Sequence, residues 1–333
     1  MGATTRDLFG AADGSAPATP GSYGEPPRGG RLPDATRLGP VRLQVADLAR
    51  SHAFYEGVLG LRVLTSGTGR ATLGASGDVA GGAAALVELV ERPGARPMTA
   101  RGRLGLYHVA ILLPDRPSLG RFVRHLAELG VRAGAGDHLV SEAFYLTDPD
   151  GLGIEVYADR PRDAWRRLGR ELMMATDPVD TGGLVRAAGD APWAGAPTGT
   201  TIGHVHLHVG DIDQASAFFS EALGFDRIVW RYPGALFLSA GGYHHHLGAN
   251  TWAGPGARPP APDDARLLEW TVELPEVADV DAAAARLARA GYAFERAAPD
   301  AIVAPDPWGT PVRLRVAQTR VARGGEHGAR GDD

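Results

Sequence analysis

The sequence has no cysteine, no basic stripe and no long apolar run, and each absence excludes a class of protein. Without cysteine there are no disulfides and no thiolate ligands, so imidazole and carboxylate must hold any metal. With 34 lysines and arginines against 39 acidic residues, a net charge of -5 offers no surface for nucleic acid. We find neither an early signal-like segment nor a run of about 18 apolar residues. We therefore expect a cytoplasmic protein with neither a nucleic-acid nor a membrane partner.

The two ends of the chain differ in composition from the middle. A chain of 333 residues with 44% hydrophobic residues can form about two domains of ordinary size. The first 37 residues are rich in glycine, proline, alanine and threonine with little apolar periodicity, and the C-terminal residues look similar. We expect a disordered N-terminal tail over residues 1–37 and a C-terminal tail over residues 319–333.

Between these ends the chain repeats itself. The segment PVRLQVADLARSHAFYEGVLGL (40–61) matches HVHLHVGDIDQASAFFSEALGF (204–225), so that Asp47 recurs as Asp211, an offset of 164 residues. Alternating apolar residues predict a strand, the aspartate suits a helix N-cap, and an amphipathic helix ends at a glycine. Each copy therefore begins as a strand followed by a helix.

A second pair of segments completes the repeat. HVAILLPD, from His108, matches EWTVELPE, from Glu269, and TDPDGLGIEV matches APDPWGTPVRL at the ends of these units. Three short alternating segments follow each helix, which predicts βαβββ units. We expect four modules over residues 38–95, 104–160, 201–255 and 266–318. Residues 161–200 are expected to form a linker with a short helix around residues 164–174.

Four such modules, with FYEGVLGL and DPDGLGIEVY among their motifs, resemble the vicinal oxygen chelate superfamily. That superfamily includes glyoxalase I, the bleomycin- and fosfomycin-resistance proteins and the extradiol dioxygenases. The resemblance implies an α+β fold in which the four modules pair into two cupped mixed β-sheets. It also implies two metal-ligand slots per module, at the start of the first strand and in the middle of the last strand.

Only two of the four modules carry suitable residues in both slots. In module order, the slots hold Pro40 and Glu88, His108 and Glu155, His204 and His246, and Glu269 and Arg313. Proline has no side-chain donor and arginine stays cationic. By this resemblance modules two and three share a metal-bearing cup, with His108, Glu155 and His204 as ligands.

Two imidazoles and one carboxylate on one face of an octahedral metal leave three adjacent coordination positions open. This arrangement is typical of Fe(II) oxygenases. The resemblance then implies an Fe(II)-dependent extradiol dioxygenase that cleaves a catechol-like aromatic with O2. Mn(II) or another divalent metal is the alternative cofactor. The small aromatic diol and O2 are the expected partners of the chain. The sequence leaves open whether the modules pair within one chain or between chains. It therefore also leaves open whether the protein is a homo-oligomer.

The run GGYHHHLGANTW offers an acid/base group. It is similar to the paired histidines of extradiol dioxygenases, which points to His246, with His245 as the second choice. A histidine can move a proton in either direction near neutral pH. Tyr145, ten residues before Glu155, and His138 resemble the pair that orients substrate oxygens in those enzymes.

A further group of residues is expected near the substrate. His206 and His208 alternate on the strand that carries His204, so they either line the cup or simply pack. Asn250 and Trp252 are candidates to shape the pocket, although a tryptophan near a strand end is more often part of the core.

Two other functions compete with the dioxygenase. A glyoxalase-type isomerase or metal-dependent thiol transferase would use the same scaffold but completes its coordination with a second carboxylate. A non-catalytic protein that binds antibiotics is the third interpretation, and such members often lack the ligands.

Overall fold

The computed structural model describes residues 2–10, 14–76 and 84–317, and strands make up most of its framework. The strands are β1 (Ala16–Pro17), β2 (Arg37–Val45), β3 (Leu61–Gly67), β4 (Arg70–Ala75), β5 (Ala85–Glu91), β6 (Gly105–Leu112), β7 (Gly134–Asp137), β8 (Ser141–Thr147), β9 (Gly153–Asp159), β10 (Arg166–Leu168), β11 (Glu171–Leu172), β12 (Thr201–His208), β13 (Asp226–Val229), β14 (Ala235–Ser239), β15 (Leu247–Asn250), β16 (Arg266–Leu274), β17 (Glu295–Ala298), β18 (Ala301–Pro305) and β19 (Pro311–Val316).

Apart from α1, which precedes β1, the helices lie between strands along the chain. They are α1 (Thr5–Phe9), α2 (Leu48–Gly57), α3 (Arg116–Glu128), α4 (Thr181–Ala187), α5 (Ile212–Ala215), which continues as a π-helical segment (Ser216–Ala222), and α6 (Val277–Arg289). A 3-10 turn spans Arg162–Ala164. Among the described residues, no helix is both long enough and apolar enough to cross a membrane.

Each of the four predicted modules folds as a strand, a helix and three further strands. Modules two and three form one eight-stranded sheet in the order β13-β14-β15-β12-β6-β9-β8-β7. Modules one and four form the other, in the order β17-β18-β19-β16-β2-β5-β4-β3. The predicted α+β fold of four βαβββ modules in two mixed sheets is confirmed, and both pairings occur within one chain. We call these the histidine sheet and the arginine sheet, after the residues at their centres.

The repeated aspartate caps the start of each helix, and the repeated glycine follows its end. The Asp47 carboxylate accepts a hydrogen bond from the backbone N–H of Arg50 at the start of α2, and Asp211 does the same at the start of α5. Gly60 and Gly224, which follow the two helical segments, have φ angles of 70° and 105°, where a side chain would be strained.

Alternation along the central strands separates the core from the site. Val109 on β6 and Val205 on β12 are fully buried in the large hydrophobic cluster that includes residues of both sheets. Their neighbours His108 and His204 therefore lie on the opposite face of the histidine sheet. We call this the site face.

The N-terminal segment departs from the prediction of a disordered tail over residues 1–37. Where the structure describes this segment, it packs on module three and the linker. The backbone N–H of Ala3 donates to the Tyr232 hydroxyl at 3.0 Å, and the Tyr23 hydroxyl donates to the Gly242 carbonyl at 2.5 Å. Leu32 is buried in the core. The partners of these residues lie far away along the sequence. The contacting residues are also irregularly spaced, so no periodic pattern in the sequence predicts that they pack. The tail predicted over residues 319–333 lies outside the described residues.

The linker also differs from its prediction. Residues 164–174 were expected to be helical, but they contain the hairpin of β10 and β11, and the short helix of this region is α4. Strand β1 pairs with β10, and Trp165 and Leu172 are buried beside the N-terminal segment. Tertiary pairing therefore overrides the local helical pattern.

Candidate metal centre

The three predicted ligands lie on adjacent central strands of the histidine sheet. His108 is on β6, Glu155 on β9 and His204 on β12, and β6 lies between the other two strands. All three side chains are buried, and their donor atoms lie within 4.8 Å of one another. Residues from two modules are thus brought together by the pairing of β6 with β12.

The distances within this cluster suit a single metal ion. Glu155 Oε2 lies 2.9 Å from His108 Nε2 and 3.1 Å from His204 Nε2, and the two imidazole nitrogens are 3.3 Å apart. Two adjacent ligands of an octahedral ion, each about 2.1 Å from it, are about 3.0 Å apart. Three donors with this spacing fit one triangular face of an octahedron. His108, Glu155 and His204 therefore fit the divalent metal ion that the fold implies.

The electrostatics of the cluster also suit a cation. Burial lowers the pKa of His204 to about 4, so this imidazole is neutral at physiological pH and offers a lone pair. Burial alone would raise the pKa of Glu155, but the adjacent His204 and His108 hold it well below its usual range. One carboxylate charge and the neutral imidazole of His204 suit a divalent metal.

The fourth ligand slot holds a glycine, which corrects the slot assignment of His246. In module two, Ala110 on β6 pairs with Glu155 on β9. At the matching position of module three, His206 on β12 pairs with Gly248 on β15. A Cβ atom at Gly248 would lie 2.7 Å from the His206 ring, so this ring covers the place of the missing side chain. The second carboxylate that a glyoxalase-type centre would use is absent from this slot.

His245, rather than His246, contacts the cluster. The ring of His245 lies 4.0 Å from the ring of His204, measured between centroids. The His246 ring instead contacts Ser239, whose Oγ lies 2.9 Å from Nδ1, and Phe225, 6.5 Å away between centroids. The preference for His246 as the acid/base group is therefore not supported by the geometry, because the histidines lie in a loop before β15 where strand alternation does not apply.

His138 and Tyr145 form a hydrogen-bonded pair at the edge of the cluster. His138 Nε2 lies 2.5 Å from the Tyr145 hydroxyl, and His138 Nδ1 lies 2.6 Å from the carbonyl oxygen of Ala175. Tyr145 pairs across the strands with Glu155, and its ring is 5.6 Å from that of His108. Burial, together with the nearby Glu155, raises the pKa of Tyr145 well above its usual value. The tyrosine is therefore a hydrogen-bonding neutral phenol.

An aromatic group lies on the other side of His108. The His206 ring is 4.9 Å from His108 and 5.6 Å from Trp252, and burial lowers its pKa well below the usual value. His208 Nδ1 lies 2.7 Å from Asn250 Oδ1. All four residues predicted to line the substrate pocket are therefore neighbours of the cluster or of one another. Trp252 is 37% exposed, so it forms the outer part of this group rather than the core.

Tyr107 belongs to this aromatic group but was not predicted from the sequence. Its ring is 4.9 Å from His108 and 4.7 Å from His208. Simple alternation would place Tyr107 on the face opposite to His108. The pairing of β6 with β12 shifts its register at this point: His206 is opposite His108, but the next residue on β12 is opposite Leu106. Nothing in the sequence marks this irregularity.

Ion pairs occupy the equivalent positions of the arginine sheet. Arg313, at the position equivalent to Gly248, makes two hydrogen bonds of 2.8 and 2.9 Å to Glu269, which is equivalent to His204. Arg42 lies 3.3 Å from Glu88, which is equivalent to Glu155. Glu269, Arg313 and Glu88 are thus engaged in ion pairs. That modules one and four bear no metal stays a prediction.

These features define a class of protein, and comparison with known proteins identifies it. The chain belongs to the Glyoxalase/Bleomycin resistance protein/Dioxygenase superfamily, whose family model matches residues 37–156 and 201–304. The family predicted from the sequence is thus confirmed. The chain is similar to a catechol-2,3-dioxygenase of Bacillus subtilis (strain 168), with 48% identity over 265 residues, which cover 78% of this chain and 90% of that protein.

Two solved structures share the fold. A putative dioxygenase from Bacillus subtilis matches with a TM-score of 0.59 and 15% identity, over 87% of each chain. Glyoxalase I from Zea mays matches with a TM-score of 0.51 and 18% identity, over 85% of this chain and 92% of that one. At this identity both structures support the fold alone.

Proposed function

We propose that this chain is an Fe(II)-dependent extradiol dioxygenase that opens a catechol-like ring with O2. The observation that carries the proposal is the cluster of His108, Glu155 and His204, three donors 2.9 to 3.3 Å apart with a glycine in the fourth slot. The 48% identity to a protein named catechol-2,3-dioxygenase supports it. The diol and O2 are the proposed substrates.

The three donors would hold the metal. Fe(II) suits a set of two imidazoles and one carboxylate, and when bound it supplies adjacent open positions and one-electron chemistry. Mn(II) has similar preferences for oxygen and nitrogen donors and is the alternative. Gly248 offers no ligand in the fourth slot, where the His206 ring lies instead.

The residues around the cluster would orient the substrate and move its protons. His245 is the proposed acid/base group, because its ring centroid lies 4.0 Å from that of His204. Burial lowers its pKa well below the usual value, so the imidazole is neutral and has a lone pair for a proton.

His138 Nδ1 faces the Ala175 carbonyl oxygen and donates to it, so its Nε2 accepts the hydrogen of the Tyr145 hydroxyl. The Tyr145 oxygen, oriented in this way, would accept a hydrogen bond from a substrate hydroxyl. Tyr107 and Trp252 offer ring faces and edges to an aromatic substrate.

The glyoxalase-type alternative has weaker support. It would need a second carboxylate, and Gly248 stands in the slot where such a residue would lie. Glu88, which stands in the other sheet at the position of Glu155, is paired with Arg42. A purely binding role would not require three buried donors at the spacing of metal ligands.

The test is anaerobic reconstitution of the full chain with Fe(II), followed by catechol and air. We expect one O2 consumed per ring opened and a yellow product, since the opened ring is a conjugated acid. Protein reconstituted with Zn(II) serves as the control and should consume no O2. Tight metal binding without O2 uptake across several catechols would overturn the proposal and favour an isomerase or transferase.

A further inference from the structure

A chain of hydrogen-bonding side chains runs from the surface of the histidine sheet to His245. We propose that Asp159 and His244 are positioning residues that hold His245 in one tautomer, with the proton on Nδ1 and a free lone pair on Nε2. The inference deepens the proposed function, since it explains how His245 would be ready to accept a proton from the diol.

The first link joins a carboxylate to an imidazole. Asp159 is the last residue of β9, the strand that carries Glu155, and its side chain is 28% exposed. Asp159 Oδ1 lies 2.9 Å from His244 Nε2 and also accepts a hydrogen bond of 3.2 Å from the Tyr243 hydroxyl. An ionised carboxylate only accepts hydrogen bonds. His244 Nε2 must therefore carry a hydrogen and donate it.

The second link joins two imidazoles. His244 Nδ1 lies 2.7 Å from His245 Nδ1, so these two nitrogens share a single hydrogen. A neutral imidazole has one N–H and one lone pair, and the hydrogen bond at one nitrogen decides which is which. Because His244 donates from Nε2, its Nδ1 accepts. His245 must then donate from Nδ1, which leaves the lone pair on Nε2.

Aromatic rings enclose the imidazole of His244. Its side chain is fully buried, and the rings of Tyr243, Trp165 and Tyr157 lie 4.0, 5.5 and 6.0 Å away between centroids. These contacts hold the ring in the orientation in which Nε2 meets Asp159 and Nδ1 meets His245. The same logic operates where a buried aspartate holds a catalytic histidine in one tautomer. A charged His244 would donate from Nδ1 and force the opposite tautomer on His245, so the two states are distinguishable.

The tautomer decides whether His245 can act as a base. With Nδ1 engaged by His244, only Nε2 is left to accept a proton. Among the residues that the structure describes, none makes a hydrogen bond to this atom. In the opposite tautomer Nε2 would carry an N–H, and His245 could donate but not accept there. Asp159 would also stabilise the positive charge that His245 gains when it is protonated.

The tautomer can be measured directly, without catalysis. The full-length chain labelled with 15N in its histidines and loaded with Zn(II), which is diamagnetic, would be studied by long-range 1H–15N NMR correlation. Loss of one ring signal in His245→Gln assigns that residue. We expect a protonated Nδ1 and an unprotonated Nε2 for His245. A protonated Nε2 in the unsubstituted protein would overturn the proposal.

Three variants separate a positioning role from a merely structural one. Asp159→Leu removes the acceptor of His244, and His244→Phe removes the acceptor of His245. Both should shift His245 toward the Nε2-protonated tautomer and, after loading with Fe(II), lower kcat at least about 10-fold with little change in KM. Tyr243→Phe is the matched control, because it removes the other hydrogen bond to the same Asp159 oxygen and should leave the tautomer unchanged.

The outcomes also distinguish this inference from the proposed function. An unchanged tautomer in both test variants would show that Asp159 and His244 do not set it. If Asp159→Leu does not fold, His244→Phe and the unsubstituted protein still decide the question. If the tautomer is as expected but no catechol is opened, the dioxygenase proposal fails while the positioning network stands.

Discussion

The histidine sheet and the arginine sheet have the same strand order and register, but the carboxylates at their centres have different partners. In the histidine sheet, Glu155 lies between the imidazoles of His108 and His204, and no arginine among the described residues contacts it. In the arginine sheet, Glu269 receives two hydrogen bonds from Arg313. A buried carboxylate needs a compensating positive charge. One sheet supplies it by a guanidinium, and the other leaves the place for a metal ion.

The loops at the same end of the sheets differ as well. Five residues join the last two strands in modules two and four (148–152 and 306–310), and both loops contain an Asp-Pro-x-Gly turn. In module three seven residues (240–246) take that place and carry the three histidines. The two halves of the molecule therefore differ in a few slot residues and in the histidines that the module-three loop carries.

The largest expected effect comes from the carboxylate of the cluster. Glu155→Gln removes the negative ligand, so metal affinity should fall by at least about 100-fold and ring opening with it. Glu88→Gln changes the equivalent residue of the arginine sheet and should leave both properties within about twofold of the original. Metal content after gel filtration and O2 uptake measure the two effects. Equal losses in both variants would contradict the assignment of the site to one sheet.

The next effect distinguishes two neighbouring histidines of the longer loop. His245→Gln should keep the metal but lower kcat by about 100-fold or more, because an acid/base group is lost. His246→Gln removes a buried contact with Ser239 and should cost about 1 kcal/mol of stability with little change in kcat. Steady-state kinetics and urea unfolding separate these outcomes. The reverse pattern would restore His246 as the acid/base group.

A smaller effect is expected at the centre of the arginine sheet. Arg313→Met leaves the Glu269 carboxylate without its guanidinium and should lower the free energy of unfolding by about 2 kcal/mol. Kinetics per bound metal should not change. The double variant Arg313→Met with Glu269→Gln should recover most of the loss, because no charge is then left unpaired. Loss of metal in Arg313→Met would show that the two sheets are coupled.

The smallest difference is expected where the two sheets are alike. Asp148 and Asp306 stand in equivalent turns, and burial raises the pKa of each to about 6. The folded state then holds these protons more tightly than the unfolded chain. Each carboxylate therefore destabilises the fold as the pH rises from about 4 to about 6.

The matching variants should gain stability as the pH rises. Asp148→Asn and Asp306→Asn cannot ionise but can still accept the backbone hydrogen bonds of the turn. Relative to the original chain, each should gain about 2 kcal/mol between about pH 4 and about pH 7. Urea unfolding at both pH values measures this gain. A gain in only one variant would show that the two turns are not equivalent.

Much of the architecture could be predicted because it is encoded locally. Strand alternation, the N-cap at Asp211 and the terminating Gly224 act within a few residues of one another. The equivalence of His108 and His204 followed from the repeat and the family resemblance. The side chain that contacts His204 could not be derived this way, because His245 lies in a loop whose backbone follows no strand or helix period.

Long-range packing decided the rest. The residues that hold the N-terminal segment, such as Tyr23 and Leu32, find their partners about 200 residues away, where no local pattern reports them. Tyr107 reaches the site face through an irregular register between two strands. The contact of Asp159 with His244 likewise joins modules two and three across 85 positions.

The sequence by itself determined four modules, their fold and the chemical types available for a metal site, since short-range periodicity and residue chemistry are properties of the chain alone. Tertiary structure alone decided that Gly248 stands in the fourth slot and that His245 faces the cluster. The physical reason is that strand register is set by the partner strand and by the core it buries, so a shift of one residue moves a side chain to the other face.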